Sequence, residues 1–313
     1  MKKDLIRLGI LASILVVAIL LIKFLPEPDK KDKKNSPKEK KLFSINREDI
    51  KAFTIKKISS EIHIVRDKSL WTIVKPQKLE ADENTILSFT RDFARAQGTK
   101  ISTPGDSGKF GLKDPAFSIT VRLKDNKTIT LYRGAMAPSG EDYYAKSGDS
   151  PEIYLIKSGT FSSQGLDKSL KDFRNKDFLK LKEESISHIL VNNVLLTREK
   201  DRWLAQGLKN DQDHQKKTSE LVNHILNIKA QDFPDDHNKT PKIEFKDPIN
   251  IEITTDQGKR LIQISRHRGK TYARVSDRAI YEISYSLFNN IQLDSEYLHK
   301  KIVTEIPANK KKQ

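Results

Sequence analysis

Apolar and polar residues alternate along much of this chain, and the alternation comes in two matching sets. In DPAFSITVRL (114–123), Ile119, Val121 and Leu123 alternate with Thr120 and Arg122. In DPINIEITTD (247–256), Ile249, Ile251 and Ile253 alternate with Asn250, Glu252 and Thr254. A period of two places one set of side chains on each face of a strand, so both stretches read as half-buried strands. Trp71 lies 43 residues before Asp114, and Trp203 lies 44 before Asp247. DYYAK (142–146) is matched by TYARV (271–275), and EIYLIKSGTF (152–161) by AIYEISYSLF (279–288). Four phrases recur in one order at offsets between 127 and 133 residues, which reads as an internal duplication with two copies.

The same pattern predicts the elements. Short strands are expected at 53–55, 62–66 and 71–74, separated by turn residues. ADENTILSFTRDFARAQG (81–98) then reads as a helix: Asp82 is placed to cap it, Ile86, Phe89 and Phe93 form one stripe, and Gly98 stops it. Strands follow at 119–123, 128–132, 143–146 and 153–156, with KDNK (124–127) as the turn of a hairpin. Residues 161–181 form a helical or irregular connector. The second copy repeats the order, with strands at 186–191, 194–198 and around Trp203. A helix follows over 213–229 with Leu221, Ile225 and Ile228 on one face, then strands at 249–253, 261–264, 272–275 and 280–283. Strands, one helix and more strands, twice, predict an α+β fold of two tandem repeats, each an antiparallel sheet with a helix covering one face. The expected organisation is an anchor over 1–25, a stalk over 26–42, repeat 1 over 43–165, a connector over 166–176, repeat 2 over 177–292 and a basic tail over 293–313.

The N-terminus departs from the alternation. Leu8 to Ile22 carries no charged residue, and Leu5 to Leu25 is long enough as a helix, about 31 Å, to span a bilayer core. Lys2, Lys3 and Arg7 resemble the basic end of a signal peptide. The apolar run is long, however, and no A-x-A-like cleavage site follows it, so an uncleaved transmembrane helix is expected. Seven lysines between Lys30 and Lys41 follow, and positive charge there favours a cytoplasmic location for that side. The short basic N-terminal flank argues the other way, and we favour a single-pass protein of the bacterial cytoplasmic membrane with its bulk extracytoplasmic. Residues 26–41 have almost no apolar side chains and read as a disordered stalk.

Composition narrows the function classes. The chain has 313 residues and no cysteine, which excludes disulfides, thiolate metal sites and cysteine nucleophiles. The net charge is +16, but it is concentrated in the flanks and tail, and no zinc-finger, helix-turn-helix or RNP-like motif accompanies it. Specific nucleic-acid binding is therefore not expected.

No residue set stands out as chemistry. GDSGK (105–109) resembles the nucleophile phrase of a serine protease and part of a phosphate loop. Thr103 stands where a phosphate loop needs its first glycine and Phe110 where it needs Ser or Thr, so the phrase reads as a turn. His63 is expected on the exposed face of its strand, and His224 at the edge of a helix stripe. His214 with Asp211 and Asp213 is the nearest approach to a metal set and lacks zinc-ligand spacing. The carboxylate pairs Glu183-Glu184 and Asp235-Asp236 fall in hydrophilic connectors. Trp71 and Trp203, repeated at matching strand ends, read as core anchors. Tyr143 and Tyr144 follow the loop AMAPSGED, which the second repeat shortens to HRGK (267–270), so the 132–144 loop is the main asymmetry and the expected contact for a partner.

Several phrases resemble a bacterial family known only as a domain of unknown function, family 4340. They are W-T-I-V-K-P at Trp71–Pro76, F-G-L-K-D-P at Phe110–Pro115, Y-Y-A-K at Tyr143–Lys146 and L-K-D-F-R-N-K-D-F-L at Leu170–Leu179. The resemblance covers roughly residues 43–292. It implies an accessory component of uncharacterised ABC-type transport systems and brings no catalytic residues with it. The expected function is a non-enzymatic, membrane-anchored accessory or scaffold protein that contacts envelope or transporter proteins. No catalytic, cofactor-binding or metal residue is assigned, and no cofactor or small-molecule ligand is expected. The alternative is an envelope-facing hydrolase or ligand-binding module working through the 132–144 loop.

Overall fold

The computed structural model describes residues 39–101, 107–148, 150–234, 242–276 and 279–305. The expected membrane helix (1–25) and nearly all of the stalk lie outside these residues. Among the described residues no helix is long and apolar enough to cross a membrane.

Lobe 1 begins with β1 (Lys40–Lys41), β2 (Ile50–Lys57), β3 (Ser60–Asp67), β4 (Leu70–Lys75) and β5 (Leu79–Glu80). Helix α1 (Glu83–Ala94) follows, then β6 (Gln97–Lys100), β7 (Phe117–Leu123), β8 (Thr128–Met136), β9 (Asp142–Ser147) and β10 (Ile153–Lys157). A short helix, α2 (Leu170–Phe173), lies in the connector. Lobe 2 contains β11 (Ile186–Val191), β12 (Val194–Glu199), β13 (Arg202–Ala205), α3 (Gln212–Leu226), β14 (Ala230–Asp232), β15 (Ile249–Thr255), β16 (Gly258–His267), β17 (Lys270–Val275), β18 (Ala279–Ile283) and α4 (Tyr285–Glu305). The fold is α+β, with two antiparallel sheets and few helices.

The two sheets share one topology. The first runs β1-β6-β10-β9-β8-β7-β2-β3-β4-β5, and the second, from its far edge, β14-β18-β17-β16-β15-β11-β12-β13. Strand for strand, β6, β10, β9, β8, β7, β2, β3 and β4 correspond to β14, β18, β17, β16, β15, β11, β12 and β13. Even the irregularity is repeated: β2 bulges against β7 between Ile50 and Ala52, and β11 bulges against β15 between Ile186 and His188. Trp71 sits opposite Arg66, and Trp203 opposite Arg198. Pro115 lies two residues before β7 and Pro248 one before β15.

Alternation explains which face is buried. Phe53, Ile64, Ile119, Val121 and Leu131 point into the first core, and their counterparts Ile189, Leu196, Ile251, Ile253 and Ile262 into the second. The helix over each core starts as expected: Thr85 N–H donates to Asp82 Oδ1 (2.7 Å), and His214 N–H to Asp211 Oδ1 (2.9 Å). Phe89 and Phe93 of α1 are fully buried, as are Leu221 and Ile225 of α3. The rings of Phe53 and Phe89 stack at 4.5 Å, and Phe173 closes the group at 5.3 Å from Phe89.

Two expected boundaries need correction. The connector over 166–176 is part of the packing, because Leu166 and Phe173 are fully buried in the first core. The basic tail expected from residue 293 is helical as far as Glu305: α4 packs on α3, with Ile291 and Leu298 fully buried in the second core. The lysines at the end of the chain obscured an apolar series, Phe288, Ile291, Leu298 and Ile302, at helical spacing.

The connector also joins the lobes. Glu80 of β5 receives a hydrogen bond from Asn175 and an ion pair from Lys180. The Arg174 guanidinium lies 3.8 Å from the Phe233 ring centroid. Phe178 stacks on Tyr281 at 4.1 Å, and Lys176 C=O accepts from Ala230 N–H (2.9 Å).

Candidate functional site

The loop expected to contact partners is built into lobe 1 on both sides. β8 and β9 carry it out to Ala137–Glu141, where Ala137 N–H donates to Asp142 C=O (2.8 Å) and Gly140 N–H to Ala137 C=O (2.9 Å). Ser158 N–H donates to Glu141 C=O, tying the tip to the end of β10. Pro138, Ser139, Gly140 and Glu141 are exposed, and Met136 beside them is 48% exposed.

The two tyrosines after the loop diverge, as alternation requires. Tyr143 faces the core side, edge-on to Phe161 at 5.8 Å. Tyr144 faces the other side, against Phe110 at 4.6 Å. Neither is a free contact residue. Phe110 belongs to a segment that folds back over β8: its C=O accepts from Ala135 N–H (2.8 Å), and Leu112 is buried beside it. A Cβ on Gly134 would stand 2.1 Å from the Phe110 carbonyl oxygen, so this crossing requires glycine at 134.

Sequence reasoning missed a charged cluster beneath this loop. The Arg133 guanidinium lies 4.3 Å from the Phe117 ring, 5.0 Å from Tyr143 and 5.5 Å from Phe161. It bonds Asp167 at 2.7 Å, and Lys57 pairs with the other oxygen of the same carboxylate at 2.5 Å. Burial pushes the Asp167 pKa up, but the bonds from Lys57 and Arg133 outweigh it and hold the carboxyl below its usual range. The cluster spends its charge internally and anchors residues 161–167 under the sheet. Lys57, Arg133 and Asp167 are far apart in the chain, and no local pattern announces such a group.

The remaining candidates are dispersed. His63 accepts or donates at 2.7 Å with Thr54 across the strand pair, and burial lowers its pKa. His214 packs beneath the α3 cap, with Nδ1 2.8 Å from Asp211 Oδ2. His224 Nδ1 lies 3.0 Å from the buried Asp294, which also meets Lys217 at 3.2 Å. Glu183 accepts from Trp203 Nε1–H at 2.9 Å, so that carboxylate orients the core tryptophan. Trp71 and Trp203 are 7% and 4% exposed and belong to the cores. Gly105, Asp106 and the Asp235-Asp236 pair lie outside the described residues, and Ser107 to Lys109 form a turn. Among the described residues no three His, Asp or Glu side chains gather in a metal-binding group. A cleft of about 310 Å³, also unforeseen, lies between β12–β13 and the first turns of α3, lined by Trp203, Leu208, Lys209, His214 and Thr218.

The shared phrases therefore build the frame. Trp71–Lys75 lies in β4, Phe110–Leu112 pins β8, Tyr143–Lys146 lies in β9, and Leu170–Leu179 joins the lobes. No curated protein and no solved structure matches the chain. The model of one family, described as a domain of unknown function (DUF4340), matches residues 71–248, from the first tryptophan to the proline before β15 and so across both lobes. That match covers more than half of the chain, which belongs to this family.

Proposed function

We propose that the chain is a non-enzymatic accessory or scaffold protein of the bacterial envelope, held in the cytoplasmic membrane by residues 1–25. Its two lobes stand on a basic stalk and bind other envelope proteins, with membrane components of an ABC-type transporter as the partner class. The observation that carries this reading is the uncharged run Leu8–Ile22 inside a 21-residue apolar stretch, followed at once by a Lys- and Pro-rich segment with no core of its own. The use of the family phrases in strands, a crossing and a seam supports a scaffold, since a binding protein of this kind carries its information on surface loops held by a rigid frame.

Alkaline carbonate extraction tests the anchor. The intact chain is expected to stay with the membrane pellet, and the chain lacking residues 1–25 in the supernatant; intact chain in the supernatant would overturn the anchor. A photocrosslinker at Ser139, on the exposed tip, tests the partner class. Crosslinked membrane transporter subunits support it, and crosslinks confined to soluble proteins contradict it.

A further inference from the structure

The sheets have four edges, and three are closed by short pieces of the chain. β1 pairs with β6 through Lys40 and Lys41, β5 pairs with β4, and Lys176 C=O takes the Ala230 N–H at β14. The fourth edge, β13, has no strand beside it among the described residues.

The cause is a length difference. Eight residues separate Ile73 from the Asp82 cap, but five separate its counterpart Ala205 from the Asp211 cap. In lobe 1 the longer segment swings out and returns as β5, with Leu79 opposite Ile73 and Glu80 opposite Thr72. In lobe 2 the chain turns at once through Gly207 (φ +91°), and Leu208 N–H takes the Ala205 C=O at 3.2 Å. Leu208 thus stands in for Leu79, and nothing stands in for Glu80. Gln206 N–H donates to Leu195 C=O, so positions 202, 204 and 206 bond inward to β12 and positions 203 and 205 point outward. The outward Trp203 N–H and C=O and the Ala205 N–H have no partner among the described residues. Beside them lies the 310 Å³ cleft. Its rim carries Lys209, which has no ion-pair partner among the described residues. Glu199 also lines the cleft, and with Asp201 it stands beside two further cations, Lys200 and Arg202.

We propose that the β13 edge is a strand-addition site for an extended segment of a partner protein, carrying an acidic residue beside an aliphatic one. Unpaired backbone groups in a row recognise another extended backbone. Lobe 1 displays what fits, because its own Leu79-Glu80 occupies the same edge. The acidic residue meets Lys209, and the aliphatic one enters the cleft against Trp203 and Leu208. The inference concerns a surface of lobe 2 and does not depend on the anchor, so carbonate extraction and the following test fail separately.

The full chain in detergent is titrated with a labelled synthetic peptide of residues Pro76–Asp82. Saturable binding is expected. Strand addition uses alternate N–H groups, so of two peptides N-methylated on opposite alternate residues, one should bind about tenfold more weakly and the other near normally. Ala205→Pro, which removes an outward N–H that a terminal edge position can spare, should weaken binding about tenfold with melting unchanged. Replacing Gln206–Asn210 by Val74–Ala81 should seal the edge and abolish binding. No binding, or equal loss with both methylated peptides, overturns the proposal. So does concentration-dependent self-association that the peptide displaces, which would assign the edge to a second copy of the chain.

Discussion

Where lobe 1 carries Thr54, His63, Thr120 and Thr130 across the open face of its sheet, lobe 2 carries Leu190, Leu195, Glu252 and Leu261 at the corresponding positions. The first row is satisfied within itself: Thr54 bonds His63 at 2.7 Å and Thr120 bonds Thr130 at 3.0 Å. The second leaves Leu190 and Leu261 36% and 44% exposed. The buried faces tell the opposite story, since Ile119, Val121 and Ala145 are matched by Ile251, Ile253 and Ala273. The frame tolerates change on the open face and at the edges, where side chains meet water. It holds to apolar residues of strand-compatible shape where they meet the helix. The lobes also close differently. Phe161, Leu166 and Phe173 complete the first core, whereas the longer α4 completes the second.

The tryptophans offer the strongest way to break the comparison. Trp71→Ala and Trp203→Ala should each cost about 3–5 kcal/mol, and Trp203→Ala about 1 kcal/mol more because Glu183 loses its donor. The chain has two tryptophans, so in each variant the remaining one reports the other lobe by fluorescence during urea unfolding. The midpoint of that other lobe should move less than the loss seen by circular dichroism.

The two closing devices come next. Leu298→Ala should cost about 2–5 kcal/mol in lobe 2, and Phe173→Ala about 3–5 kcal/mol in lobe 1. Truncation after Asp294 should destabilise lobe 2 at least as much as Leu298→Ala, while truncation after Glu305 should leave its melting temperature nearly unchanged. Equal melting of the two truncations would contradict the role given to α4.

Smaller effects sharpen the comparison. Asp82→Ala and Asp211→Ala should each cost about 1 kcal/mol through the lost helix cap. Asp167 gives lobe 1 an acid sensitivity of its own. Its folded pKa is depressed, so its contribution is fully present above the ordinary carboxylate pKa near 4 and is lost as pH falls through the folded value. Asp167→Asn should lower stability at pH 7 and flatten the acid limb of a stability-against-pH curve for lobe 1. An unchanged acid limb would show that the ion pairs with Lys57 and Arg133 contribute nothing.

The strands with clear period-two alternation were legible in sequence, as were helices α1 and α3 and the Asp82 cap, because each depends on residues close in the chain. Helix α4 was not, and Gly98, expected to stop α1, lies in β6 while α1 ends at Ala94. β1, β5, β6 and β14 were not legible. At two to four residues they are too short to show a period and exist only because a neighbouring edge accepts them. The equivalence of Trp71 and Trp203 could be read from spacing alone, yet the fate of Tyr143 and Tyr144 could not. Their partners, Phe161 and Phe110, arrive from opposite sides of the sheet. The Arg133–Asp167 pair spans 34 positions with no motif between them.

Native-state hydrogen exchange tests the central claim, that one frame is built twice and differs at its last edge. The amides of Ile73 and Ala205 occupy equivalent outward positions on β4 and β13. The Ile73 amide, covered by β5, should exchange only with large openings of lobe 1. The Ala205 amide should exchange faster by about two orders of magnitude or more through local access of water. Equal protection of the two amides would contradict the account, since it would mean that the β13 edge is covered as fully as its counterpart.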